Sequence, residues 1–183
     1  MSDKVNRKFL DKKRLMYIAG NDFYLYTYSI FNILYALKCT DKDNLFHDHR
    51  KLPFYINFCN NNLVADVYHR HSKTKVDVND SDRQLLINCF YNSLNKDKVI
   101  YRLLLILEDK GLINITKSEN SNFLDLYLVE SEPVKKFVLN PLFEIERQNI
   151  KQVNSFYNRG HKVKYETAMN SLFYKFKVGK WLL

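Results

Sequence analysis

The chain has 183 residues, 46% hydrophobic and 15% aromatic, which suffices for one substantial core and excludes a disordered polypeptide. Four glycines and three prolines leave little material for an all-β barrel or long linkers, so helices should dominate. The net charge of +9 is uneven: residues 1–14 carry +4, residues 147–183 carry +7 and residues 108–146 carry −4, so both ends are basic around an acidic middle.

Residues 1–20 form a basic lead-in, with a short helix predicted over Lys4 to Met16 and a stop at Gly20. Asn21 and Asp22 are good N-caps for a helix from Phe23 to Lys38. Nearly every face of that helix is apolar, which marks a central helix or one that a partner covers. Its uncharged stretch, Phe23 to Leu37, falls short of the roughly 20 residues a membrane span needs. A second helix over Lys51 to Asn60 carries Pro53 in its first turn. Leu63 to Tyr68 alternates and reads as a short strand, with 69 to 80 a polar loop.

Ser81 and Gln84 form a capping box that opens a helix to Leu94. Asn95 to Lys98 joins it to a helix ending at Lys110, stopped by Gly111 in a left-handed cap. Leu112 to Ile115 and Phe123 to Val129 flank a polar interval and read as a β-hairpin. Ser131, Glu132 and Pro133 start a short helical turn. Pro141 restarts a helix through Tyr157, with Leu142, Ile145, Asn149, Val153 and Phe156 at helical spacing. Gly160 breaks it, and Tyr165 to Phe176 reads as the last helix.

The predicted class is mostly α with a small β-hairpin (α+β). The order helix, short connection, helix, hairpin is that of a winged helix, here with extra N- and C-terminal helices. The chain divides into a basic segment (1–20), a helical and winged-helix core (21–130) and a C-terminal helical extension (131–183).

A winged helix that reads DNA presents a polar, basic face on the helix before the wing. Here Val99, Ile100, Leu103, Leu104, Ile106 and Leu107 fill one apolar arc, and the outward arc holds Tyr101, Arg102, Leu105, Glu108 and Asp109. One cation, two anions and an apolar centre would repel a phosphate backbone rather than hold it. Either the protein's own terminal helices cover Leu105, or Tyr101 and Leu105 form an interface core with a charged rim.

The C-terminal cations Arg159, Lys162, Lys164, Lys175, Lys177 and Lys180 alternate with aromatic residues, a pattern that suits either nucleic-acid contact or a solvated helix face. Two His-x-His pairs, His47/His49 and His69/His71, offer nitrogen ligands, but no carboxylate or thiol completes a familiar metal spacing. Loop histidines are the simpler reading, and no metal or cofactor is expected. Cys39, Cys59 and Cys89 are widely spaced and no signal peptide precedes them, which points to reduced thiols in the cytoplasm. No phosphate-binding loop, nucleophile elbow, zinc-protease motif or Gly-rich dinucleotide turn is present, so no catalytic residue is assigned and an enzyme is not expected.

Three stretches, Tyr28 to Leu37, Tyr101 to Ile113 with its hairpin, and Phe143 to Ile150, together resemble the middle-component subunits of ABC-three-component systems. These are small accessory proteins of Lamassu-type bacterial defence operons. The resemblance covers about residues 21 to 157. It implies a non-catalytic subunit that binds an SMC-like ABC ATPase, with a third subunit, a nuclease in many such systems, as effector of an assembly that senses foreign DNA. It supplies no catalytic residues and no motif for the basic segments. From the residues alone, a winged-helix DNA-binding transcription regulator and a small metal-dependent enzyme built on the four histidines are the competing readings.

Overall fold

The computed structural model describes residues 23–73, 77–117, 123–156 and 160–179, so the helix expected over Lys4 to Met16 lies outside the described residues. The helices are α1 (Phe23–Ala36), α2 (Leu52–Asn60), α3 (Asn62–Lys73), α4 (Asp80–Leu94), α5 (Asp97–Asp109), α6 (Glu132–Val138), α7 (Glu144–Phe156) and α8 (Tyr165–Leu172). The strands are β1 (Ile113–Lys117) and β2 (Leu124–Leu128). The fold is predominantly helical with one two-stranded antiparallel hairpin.

α1 is buried along most of its length, with Ile30, Ile33 and Leu34 fully inaccessible, as its all-round apolar sequence requires. α2 lies at the centre and touches α1, α3, α4, α5 and α7. The C-terminal helices belong to the same buried cluster as the rest. Phe173 sits at its middle, its ring 5.4 Å from that of Phe54, 5.7 Å from Phe58 and 5.2 Å from Phe90. Tilted and edge-on aromatic pairs at these distances add to simple area burial.

Leu63 to Tyr68 is helical, not a strand. Asn61 caps the start of α3, its Oδ1 accepting from the Val64 N–H at 3.2 Å. Val64, Ala65, Val67 and Tyr68 are then buried, a helical spacing that outweighs the β-branched composition. The helix runs on to Lys73 through part of the expected loop. α4 opens two residues earlier than the Ser81 box implies. Asn79 is its cap, with Oδ1 accepting from Asp82 N at 2.8 Å and Nδ2 donating to Asp82 Oδ2 at 3.0 Å. α7 turns Asn149 and Val153 inward as its spacing predicts, but not Ile145. Ile145 is exposed, while Glu146, Arg147, Asn149, Ile150 and Val153 face inward. Polar residues take core positions there because the backbone offers partners: Asn149 Nδ2 donates to the Cys59 carbonyl at 3.0 Å and to Asn62 Oδ1 at 2.8 Å.

α5 ends as its sequence predicts. Gly111 takes φ +66°, and the Gly111 and Leu112 N–H groups donate to the Glu108 and Leu107 carbonyls at 2.8 and 2.9 Å. The hairpin pairs Ile113 with Leu128 and Ile115 with Leu126, and β2 alternates, burying Leu124, Leu126 and Leu128. Phe46 adds an antiparallel bridge on the far side of β2, exchanging two backbone hydrogen bonds with Leu126 at 2.8 and 3.1 Å.

Two glycines separate backbone strain from crowding. A Cβ at Gly111 would meet nothing within 4 Å, whereas one at Gly179 (φ +73°) would lie 2.7 Å from Phe90 Cζ. Gly111→Ala should therefore cost about 1–2 kcal/mol from its left-handed backbone alone. Gly179→Ala should cost about 1–3 kcal/mol more by displacing a buried ring. Urea unfolding of both variants checks this; equal losses would show that Phe90 yields without penalty.

Candidate functional site

Two surfaces gather the residues that the sequence singles out. The first is the outer face of α5. Ile100, Leu103, Leu104 and Leu107 are its buried positions. Tyr101, Arg102, Leu105, Glu108 and Asp109 all lie on the exposed side, with Leu105 at 44% accessibility. Ile106, expected in the inward arc, is 46% exposed and belongs to this face as well. At 100° per residue it stands about 110° from the middle of the buried arc, so it falls outside it. No terminal helix covers Leu105 among the described residues.

Two members of the face also have internal work. The Tyr101 ring lies 5.5 Å from the His49 ring, and Glu108 Oε1 accepts the Ile115 N–H at 3.2 Å, tying α5 to β1. Arg102, Leu105, Ile106 and Asp109 remain as an apolar pair with a charged border.

The second surface is an open cleft of about 690 Å³ between the 46–51 turn, the start of β2 and residues 162–166. Its floor is built around Asp48, a non-glycine residue at φ +63°. Asp48 caps the short 3-10 turn His49–Lys51 and holds Arg50 in a two-pronged pair, Nε to Oδ1 at 2.9 Å and Nη2 to Oδ2 at 2.7 Å. The guanidinium carbon lies 3.5 Å from the Phe123 ring centre and 4.6 Å from that of Tyr165, so the cation is stacked between two rings. Asp48 raises the Arg50 pKa further above its ordinary value.

Asp125 on β2 completes the tie. Its Oδ1 accepts the Asp48 N–H at 2.9 Å and its Oδ2 bonds His47 Nδ1 at 2.8 Å. Lys51, fully buried, donates to the carbonyls of Gly160, His161 and Val163 at 3.1, 2.9 and 2.7 Å. Burial pushes its ammonium down to about 8. The turn therefore grips the hairpin with one hand and the C-terminal segment with the other.

The C-terminal cations divide between places. Lys162 and Lys164 are exposed and line the cleft. Lys175 lies instead against α3, with Nζ 3.3 Å from Ser72 Oγ and 5.0 Å from the Tyr68 ring centre, and Lys177 Nζ is 3.8 Å from Asp77. Arg159 and Lys180 lie outside the described residues.

The two histidine pairs do not converge as a zinc site would require. His47 faces Asp125, whereas His71 Nε2 bonds Asp82 Oδ2 at 2.7 Å in a knot joining α3 to α4. No cluster of three or more His, Cys, Asp or Glu side chains suited to a metal occurs among the described residues. The three cysteines are buried without a disulfide, and burial pushes the Cys39 and Cys89 thiols up to about 12, far from a reactive thiolate. No described helix is long and apolar enough to cross a membrane.

Comparison with protein-family models, curated proteins and solved structures returns no match.

His49 links both surfaces and titrates. Its Nδ1 accepts the Leu124 N–H at 3.2 Å, which only a ring unprotonated at that nitrogen can do, and burial lowers its pKa below the ordinary 6.5. A lowered folded-state pKa contributes stability that is complete above about 6.5 and is lost as pH falls below it. Thermal unfolding should therefore drop between about pH 7 and pH 5, and less so in His49→Asn, whose amide oxygen accepts the same N–H without titrating. Identical pH slopes for the two proteins would rule His49 out as the group responsible.

Proposed function

We propose that this chain is a non-catalytic accessory subunit that docks a partner polypeptide through the outer face of α5. In this reading its core is a winged helix. The order α4, a two-residue connection, α5 and hairpin supports it, as does the Phe46 bridge, which stands where a third strand would flank the wing. The C-terminal helices then pack onto that core as an addition to it.

The single observation that carries the docking reading is the make-up of the α5 face. Leu105 and Ile106 are 44% and 46% exposed beside Tyr101, with Arg102 and Asp109 at the border. A small apolar centre within a mixed-charge rim suits a protein interface and suits a phosphate backbone poorly. Combined with the sequence resemblance, the partner is an SMC-like ABC ATPase of a Lamassu-type ABC-three-component assembly. A nuclease effector would be the third member, and DNA would be sensed by the complex. A winged-helix regulator acting on its own promoter is the alternative for the same core. The division of the C-terminal lysines between the cleft and α3 weakens it, because a continuous basic track is not formed by the described residues.

Sequencing the genes that flank its own and co-expressing the chain with a long coiled-coil ATPase found there tests the proposal, and a neighbourhood without one counts against it. A stable complex is expected, and Leu105→Glu with Ile106→Glu should reduce the retained partner at least about tenfold, the loss of roughly 1.4 kcal/mol of binding, while leaving thermal unfolding unchanged because both side chains are exposed. A solitary monomer in the presence of that ATPase, or full retention by the double variant, would overturn it. Sequence-specific promoter binding by the isolated chain would favour the regulator.

A further inference from the structure

We infer that the cleft between the 46–51 turn and the start of α8 binds a nucleoside phosphate, either free or as one unit of a single strand. The inference goes beyond the docking role and uses a different surface.

The cleft is assembled before any ligand arrives. The 46–51 turn is bonded to β2 through Asp125 and to the C-terminal segment through Lys51 and the His47 N–H, which donates to the His161 carbonyl at 2.9 Å. A volume of about 690 Å³ falls in the range of small-molecule sites. One wall is the stack of Phe123, Arg50 and Tyr165. Because Asp48 balances the Arg50 charge and takes two of its five N–H donors, that stack acts as a flat, nearly neutral platform. Such a platform accepts any nucleobase through its π-face.

The opposite side carries the charge. Lys162 and Lys164 are exposed and take part in no ion pair among the described residues. Lys164 is also the N-cap position of α8 and its side chain makes no capping bond, so the first-turn N–H groups beside it add partial positive charge. His47 donates Nδ1–H to Asp125, which leaves Nε2 as an acceptor suited to a ligand hydroxyl such as that of a ribose. Of the carboxylates lining the cleft, Asp48 and Asp125 are engaged within the protein, and Glu166 remains. Over the whole lining, Arg50, Lys162 and Lys164 balance Asp48, Asp125 and Glu166, so the two unpaired lysines, and no net positive field, are left to hold an anion. That matches a single phosphate better than a triphosphate.

The test uses the full chain, with anisotropy of a fluorescein-labelled oligothymidine strand at physiological ionic strength and adenosine monophosphate as competitor. Lys162→Glu with Lys164→Glu should weaken strand binding at least about tenfold and lower the salt slope by about 0.7, the share of one phosphate contact on a single strand. Phe123→Leu should weaken it about fivefold through lost stacking. Lys162→Gln with Lys164→Gln gives the same direction should the charge reversals fail to fold. Displacement by the mononucleotide identifies the free nucleotide as sufficient ligand, and strand binding that it cannot displace identifies the strand; both support the site. Absence of binding by strand and mononucleotide alike would overturn it. So would an equal loss in Lys136→Glu, placed on α6, which would reduce the binding to diffuse charge.

Discussion

One buried ammonium organises this molecule. Among the described residues no carboxylate pairs with Lys51 Nζ; it is held by three backbone carbonyls from residues 160, 161 and 163, more than a hundred positions away in the chain. Burying a charge is costly unless its hydrogen-bonding capacity is met, and three carbonyls meet all three of its donors. Remove that arrangement and the Gly160 and Val163 carbonyls lose their Lys51 partner, at about 1–3 kcal/mol for each one left unsatisfied, while the His161 carbonyl keeps the His47 N–H. The segment leading into α8, and with it Phe173 at the centre of the aromatic core, is thereby located relative to α2.

The neighbouring residues carry the same constraint to the hairpin. Asp48 adopts a left-handed backbone and hands its N–H to Asp125, while Phe46 pairs with Leu126 on the free edge of β2. Covering that edge removes a surface on which strands of other chains could add. With β2 held from behind and Glu108 fastening α5 to β1, the outer face of α5 is presented on a rigid support. Rigidity matters for docking, since an interface that need not order itself loses less free energy on association.

What the residues announce and what they conceal divide along sequence distance. α1, the Gly111 stop and the two strands are local patterns and are legible: a run of apolar faces, one glycine where φ must be positive, and a polar interval between alternating segments. α3 is misread because Val64 and Val67 look like strand residues, although Val64, Val67, Tyr68 and His71 also follow helical spacing and the two signals compete. In α7 the inward Asn149 and Val153 follow the helical spacing, whereas the inward turn of Arg147 is missed: its guanidinium donates to the Asn140 carbonyl, and no pattern within the helix reports that. The outward residues Tyr101, Arg102, Leu105, Glu108 and Asp109 follow from the helical period, but Ile106 sits at the margin of the arc, where periodicity decides poorly. Of the cleft, only His47, Lys162 and Lys164 stand out in the sequence, and nothing there joins them. The 48–50 turn, Asp125 and Tyr165 lie in three separate segments, and only the folded chain sets Asp125 against Asp48 and Tyr165 against Arg50.

What lies against Leu105 in the cell decides whether this chain docks a protein. A photo-crosslinking amino acid at position 105, activated in cells carrying the whole gene neighbourhood, reads that contact directly. The account predicts an adduct that protease destroys and nuclease leaves intact, with a long coiled-coil ATPase as the captured chain. An adduct sensitive to nuclease would place this helix in a duplex and contradict the account.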